Sequence, residues 1–256
     1  MNFALASRTE SVIIMPQNAT PEMIDQLACR LELSLGSLEK KRLLLYTKLL
    51  MQGLQKQRLT GERTAKGLIE KQIYDSLYPL QLITLKEAGK ALDLGSGGGL
   101  PGVPIKICMT HLSMFLADAN KRKIRFLQNA VEQLGLDKVN FINERAEVIG
   151  QNKEHRERFD HVFCRAVAEM AVLAELVLPL LKTGGRALIY KGPRGMQEAI
   201  EAEKAIKLCG GFIEKVHEYS LSTGEKRSLF ILNKAESTPD QYPRSIGTPG
   251  RKPLKD

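Results

Sequence analysis

The stretch Ala91-Leu92-Asp93-Leu94-Gly95-Ser96-Gly97-Gly98-Gly99-Leu100-Pro101-Gly102 constrains this chain more than any other. A short apolar run carrying one carboxylate, followed by glycines and then by Pro101 ahead of an apolar helix start, predicts a buried strand, a sharp turn and a helix. Five glycines within the eight residues 95–102 cost conformational entropy on folding. That cost is offset where backbone must reverse tightly or a ligand must approach it closely. The turn therefore predicts the first βα unit of a nucleotide-type site.

Two ligand classes use such a turn. Gly97-x-Gly99-x-x-Gly102 matches the dinucleotide fingerprint to the letter. In that fingerprint, however, the first glycine ends the strand and leaves the helix N-terminus to a pyrophosphate. Here Gly95 already ends the strand, two residues past Asp93, and Pro101 and Pro104 remove two backbone donors near the helix start. The spacing Asp93-x-Gly95-x-Gly97-x-Gly99 is instead similar to the S-adenosylmethionine loop of Rossmann-like methyltransferases. That resemblance implies S-adenosylmethionine as the cofactor. An NAD-dependent oxidoreductase stands as the alternative enzyme class.

With 256 residues the chain has room for one large domain and a smaller appended one. Upstream of the glycine turn, apolar spacing predicts helices over 21–35 and 37–52 and a third marked by Ile69, Ile73 and Leu77, with a polar loop over 53–67. They make up an N-terminal helical cap over 1–85. From 86 to 235 strands and helices alternate, the pattern of a parallel sheet covered on both faces. Strands are predicted over 91–94, 113–117, 139–142, 161–164 and 186–190, with a closing antiparallel pair over 212–219 and 228–232. Helices are predicted over 101–109, 170–181 and 196–208, together with one that Asn120 caps and Gly135 closes. The α/β order resembles the seven-stranded, mostly parallel sheet of class I methyltransferases. The last segment, 236–256, contains four prolines and is expected to be an extended basic arm unable to pack as helix or strand.

Charge points to a partner. The net charge is +9, and nine basic side chains against Glu62 and Glu70 put a balance of +7 into residues 40–71 alone. Such a stretch suits a nucleic-acid backbone, although a solvated helix face is the bland alternative. The four cysteines are scattered without a Cys-x-x-Cys pair or a nearby histidine cluster, so neither a metal site nor a disulfide framework is expected. Cys164, at a strand end, could serve as a nucleophile, but it lacks a Pro-Cys context and reads as a small buried apolar residue. No apolar run is long enough to cross a bilayer, and Arg8 and Glu10 interrupt any signal-peptide core, so a cytoplasmic protein is expected.

Ligands of open parallel sheets sit at the carboxyl ends of the strands. There the chain places Gly95 to Leu100, Asp118, Ala146-Glu147 and Arg165. Asp118 can accept two ribose hydroxyls, or simply cap the following helix. Asp93 either orients the glycine loop and the methionine end of a cofactor or serves only as a structural carboxylate bonded to loop amides.

The block Gly95 to Pro104 resembles the signature of the bacterial small-subunit rRNA guanine-N7 methyltransferases, the RsmG or GidB family. Lys121-Arg122-Lys123, Arg145-Ala146-Glu147, Arg165-Ala166, Tyr190-Lys191-Gly192, Asp75-Ser76-Leu77 and Tyr242-Pro243-Arg244 follow in that family's order. The resemblance implies that Gly95, Leu100, Ala146, Glu147 and Arg165 contact the cofactor, with Asp93, Gly97, Gly99 and Asp118 completing the set. It also implies 16S rRNA in the small ribosomal subunit as substrate. Lys56, Arg58, Arg63, Lys121, Arg122, Lys191, Arg244, Arg251 and Lys252 are the expected RNA contacts. Three residues depart from the family pattern: Arg58, Gln72 and Gly98. The first two are expected on the RNA side. Guanine N7 carries an in-plane lone pair and no proton, so no catalytic base is expected. A ribosome-assembly protein without catalysis is the other alternative.

Overall fold

The computed structural model describes residues 19–85, 88–165 and 167–255. The first eighteen positions of the expected cap, with Arg8 and Glu10, and Ala166 beside Arg165 lie outside the described residues. Helices α1 (Pro21–Arg30) and α2 (Ser37–Leu54) precede a helical stretch made of α3 (Ala65–Gly67), a π-helical segment (Leu68–Ile73) and α4 (Tyr74–Leu77). Strands β1 (Lys90–Leu94), β2 (Ser113–Ala117), β3 (Val139–Ile142), β4 (Phe159–Arg165) and β5 (Leu181–Lys191) then alternate with α5 (Gly102–Cys108), α6 (Lys121–Leu134), α7 (Ala146–Gln151) and α8 (Met170–Val177). After α9 (Gly195–Glu201) and α10 (Glu203–Leu208), β6 (Gly211–Ser220) and β7 (Lys226–Lys234) close the sheet, and α11 (Thr248–Arg251) lies near the C-terminus. No helix among the described residues is long and apolar enough to cross a membrane.

The seven strands run in the order β3-β2-β1-β4-β5-β7-β6. β1 to β5 pair in parallel, while β7 is antiparallel to both β5 and β6. The order reverses between β1 and β4, which opens a crevice at the carboxyl end of β1.

Two cores flank the sheet. On one face α1, α2 and the 65–77 stretch pack with α5 and α6 into a single cluster that includes Tyr46, Leu50, Ile73, Ile105 and Leu127. The cap and the sheet thus share one hydrophobic interior. On the other face α7 to α10 cover Leu92, Val162 and Phe230.

Local signals explain most element ends. Asn120 Oδ1 accepts from Arg122 N at 2.9 Å, and Gly135 terminates α6 in the left-handed conformation. Thr64 Oγ1 accepts from Gly67 N at 3.0 Å and starts the helical stretch inside the segment expected to be loop. The α-helical part of α8 ends at Val177 and the chain continues as a 3-10 turn over Leu178–Leu180, close to the expected 181, because Pro179 has no N–H to extend the α-helical ladder. The helix expected over 196–208 is two, broken at Ala202.

The C-terminal arm is corrected more substantially. Far from being unable to pack, it lies against the α7 and α8 face and contains the turn of helix α11. Tyr242 is buried; Arg156 Nη1 donates to its carbonyl at 2.6 Å, and Gln151 Nε2 donates to Pro243 O at 2.7 Å. Lys234 Nζ, fully buried, donates to Leu178 O, Cys209 O and Thr238 Oγ1.

Candidate active site

Two cavities open at the carboxyl edge of the sheet and share Gly95 as a wall. The smaller, about 310 Å³, is lined by Asp118, Ala119, Ala146, Glu147, Val167 and Val172 among others. The larger, about 430 Å³, is lined by Gly95 to Gly98, Leu100, Arg165, Tyr190 and Lys191, and on the cap side by Leu59 to Gly61, Gln72 and Asp75.

The glycine loop between them is held from three sides. Tyr46 of α2 donates to Gly98 O at 2.7 Å, and burial holds that phenol well above its ordinary range, so it stays a donor. Asp118 Oδ2 accepts from Gly97 N at 3.0 Å, while its Oδ1 accepts from Asn120 N at 2.8 Å. Asp93 Oδ2 accepts from Gly102 N at 2.9 Å behind the loop. Gly95 has φ +77°, and a Cβ there would lie 2.6 Å from Val167 Cγ2. A side chain there would press on Val167, which lines the smaller cavity, and the positive φ itself favours glycine.

Asp93 lines neither cavity. Its Oδ1 is buried without a partner, and burial pushes its carboxyl up to about 7. Of the two roles left open for it, this placement favours the structural carboxylate bonded to a loop amide over the cofactor contact expected for it. Gly99 also stands behind the loop, at φ +95°, where a Cβ would meet Val103 at 2.6 Å.

Arg165 is gripped from the cap. Its Nη1 donates to Asp75 Oδ2 at 2.9 Å and to Gln72 O at 3.1 Å, and its Nη2 donates to Gln72 Oε1 at 2.9 Å. Gln72 falls in the π-helical segment, where the wider turn takes carbonyls off the regular helical ladder; its carbonyl also accepts from Ser76 Oγ at 2.6 Å. Gln72, expected on the RNA side, thus bears directly on the arginine at the end of β4. Asp75 Oδ1 in turn accepts from Tyr219 Oη at 2.5 Å.

Two expected RNA contacts and one expected cofactor contact are otherwise engaged. Arg244 is a correction: its Nε and Nη2 bind the two oxygens of the fully buried Glu175 at 2.9 and 2.7 Å, so the guanidinium pins the arm. Lys191 is buried and donates to Ala168 O at 2.6 Å and Glu198 Oε2 at 2.7 Å, at the cavity wall rather than on an outer surface. Glu147, expected at the cofactor, accepts from Gly247 N of the arm at 2.9 Å while still lining the smaller cavity. Lys56, Arg58, Arg63, Lys121, Arg122, Arg251 and Lys252 are exposed. Cys164 is fully buried, donates towards Leu94 O at 3.5 Å and has its thiol pushed far up by burial, which rules out a nucleophile. Tyr190, which lines the larger cavity, is buried and donates from its hydroxyl to Ser76 O at 3.1 Å.

Sequence reasoning missed Thr60, Gly61, Asp75 and Arg227 as cavity residues. Asp75 carried a signal, a carboxylate in an otherwise apolar helical turn, that only the cap-to-sheet contact turns into a role.

A sheet of this order with a glycine loop at its switch point defines the class: a Rossmann-like fold of the class I methyltransferase type. Among solved structures, M. jannaschii TYW2 in complex with AdoMet has a TM-score of 0.52 at 14% identity, covering 71% of this chain and 80% of that one. The family model GidB, rRNA small subunit methyltransferase G, matches residues 39–229, and the chain belongs to that family. Relatives named ribosomal RNA small subunit methyltransferase G are 38% identical over 236 residues in Listeria monocytogenes (92% of this chain, 99% of the relative) and 44% identical over 196 residues in Thermotoga petrophila (77% and 84%).

Proposed function

We propose that this protein is an S-adenosylmethionine-dependent methyltransferase that modifies N7 of a guanine in the decoding-region loop of 16S rRNA. Family membership supports the reaction class and the rRNA substrate. The observation that carries the site assignment is the pair of cavities meeting at Gly95, one walled by Asp118 and the other reaching Arg165.

The residues present fit the cofactor. Asp118, at the end of β2, already accepts from Gly97 N, Asn120 N and Lys123 Nζ, and the second lone pair of Oδ1 can take a ribose hydroxyl, while Ala146, Val167 and Val172 supply apolar walls for an adenine ring. Gly95, in the lining of both cavities, leaves room beside Val167 that a Cβ would take. Arg165, with donors to spare beyond Asp75 and Gln72, suits the amino-acid end on the far side. When bound, S-adenosylmethionine supplies an electrophilic methyl group that the lone pair of guanine N7 accepts.

The larger cavity matches an acceptor that has no proton to lose. Its only carboxylate among the lining residues is Asp75, whose two oxygens are already taken by Arg165 and Tyr219. What the chain contributes is alignment of donor and acceptor and exclusion of water, worth up to roughly 7–11 kcal/mol. Lys123, Lys191 and Arg227 line the cavity, paired with Asp118, Glu198 and Glu225, and their remaining N–H donors suit guanine O6, leaving the N7 lone pair free. Exposed Arg58, Arg63, Lys121, Arg251 and Lys252 suit phosphate contacts around it.

The experiment is mass-spectrometric mapping of 7-methylguanine in 16S rRNA from cells with and without the protein. One decoding-region methylguanine should vanish in its absence, return with the wild-type chain and stay absent with Asp118→Ala. An unchanged map would overturn the proposal.

A further inference from the structure

Cations without an ion-pair partner among the described residues also gather one helix away from the cavities. The C-terminal part of α2 and the start of α6 enclose a groove of about 290 Å³, lined by Lys56, Gln57, Arg122, Arg125, Asn129 and Gln133. No carboxylate lines it. Lys56, Arg122 and Arg125 are exposed, whereas Lys40, Lys66 and Lys71 elsewhere in the basic stretch are paired with Asp25, Glu70 and Glu62. The groove is a built feature. A Cβ on Gly53 of α2 would lie 2.7 Å from Phe126 Cε2, so the two helices close on each other at its floor. Gln57 Nε2 reaches Arg122 O at 3.4 Å across it.

Folding does not account for these charges. Lys121, Arg122 and Arg125 fall in the opening turns of α6, which has no acidic residue in its first turn, so they oppose the positive end of the helix dipole. An anion in the groove would reverse the sign of that interaction.

The groove also joins the active site. Gln57 lines the groove, and Leu59, Thr60 and Gly61 line the larger cavity. At roughly 3.5 Å per residue the two sites lie within about 15 Å along one segment. We propose that this groove holds the phosphodiester backbone of the RNA strand flanking the target guanine, its cations on phosphate oxygens and its amides on phosphate and ribose hydroxyls. The proposal rests on the function given above.

The test uses the full chain with Arg122 and Arg125 both changed to Gln, and as a control of equal charge the exposed Lys153 and Lys207, outside the basic stretch, both changed to Gln. The probe is an unmodified transcript of the 16S decoding region, titrated across a salt series, with S-adenosylhomocysteine binding measured alongside. The groove variant should bind the transcript at least tenfold more weakly at low salt. Its salt slope should be shallower by about 1.4, for two lost phosphate contacts at about 0.7 each. S-adenosylhomocysteine binding should stay at wild-type strength in both variants, and transcript binding should do so in the control. Equal affinity and slope for the groove variant and the control would overturn the proposal. If wild-type protein transfers no methyl group to rRNA yet the groove variant still loses salt-dependent binding, the functional reading fails while the groove stands.

Discussion

Asp75 Oδ2 lies 2.9 Å from Nη1 of Arg165, a pair that joins a helix of the cap to the carboxyl end of β4. Both side chains are largely enclosed, at 6% and 12% exposure, and Tyr219 closes the other carboxylate oxygen. Cap, sheet and closing hairpin therefore meet at one carboxylate on the wall of the larger cavity.

Removing that carboxylate leaves a guanidinium with only Gln72 to face. Asp75→Ala should lower unfolding free energy by about 3–5 kcal/mol in denaturant titration, the usual consequence of breaking one side of a buried pair. It should also weaken S-adenosylhomocysteine binding, because Arg165 loses its fixed direction. Wild-type stability in this variant would contradict the junction role.

Gly95 makes a sharper prediction. Gly95→Ala meets both a φ of +77° and the Val167 methyl at 2.6 Å. The backbone alone should cost roughly 1–2 kcal/mol of stability in denaturant titration, and displacement of Val167 at the wall of the smaller cavity should weaken calorimetric binding of S-adenosylhomocysteine. Val167→Ala added to Gly95→Ala should recover part of that loss by clearing the methyl, but not the part due to φ.

Asp93 predicts an unusual pH dependence. Burial raises its folded-state carboxyl to about 7, above its ordinary 3.8. The folded chain therefore holds a proton that the unfolded chain releases, and the stability from Asp93 is full below about pH 4 and is lost as pH rises through about 7. Within that window the loss approaches about 1.4 kcal/mol per pH unit. Denaturant titrations at pH 5 and pH 8 should show the wild-type chain losing more stability than Asp93→Asn. Parallel curves for the two proteins would place the titration elsewhere.

Arg244 should behave as an anchor. Arg244→Ala leaves Glu175, fully buried, without its bidentate partner, and should cost about 3–5 kcal/mol of stability. Its RNA-binding salt slope should match wild type. A shallower slope with unchanged stability would restore the surface role first expected for this residue.

What was legible in the chain was local. Asp93, Gly95 and Gly97 declared a strand and its turn, Asn120 and Gly135 bracketed a helix, and Asp118 and Arg165 stood where strands end. Each is a pattern set by neighbours a few residues away, where backbone sterics and capping dominate. The contacts that complete the site join residues far apart in sequence. Gln72 and Asp75 reach Arg165 across about ninety residues, and Gly247 reaches Glu147 across a hundred. Nothing in periodicity marks such partners, and the prolines of the arm, which do exclude a long helix, said nothing about the Glu175 waiting for Arg244.

The Gly247 to Glu147 contact has a temporal side. Gly247 and Gly250 help wall the cavity assigned to adenosine, yet both emerge during synthesis well after Glu147 and the strand ends opposite. At about 5–20 residues per second, a hundred residues separate the two by roughly 5–20 s of translation. The wall that the arm gives this cavity is thus the last part of it to be synthesised, after Val167, Val172 and Leu176, and closure on that side is a property acquired late in the protein's manufacture.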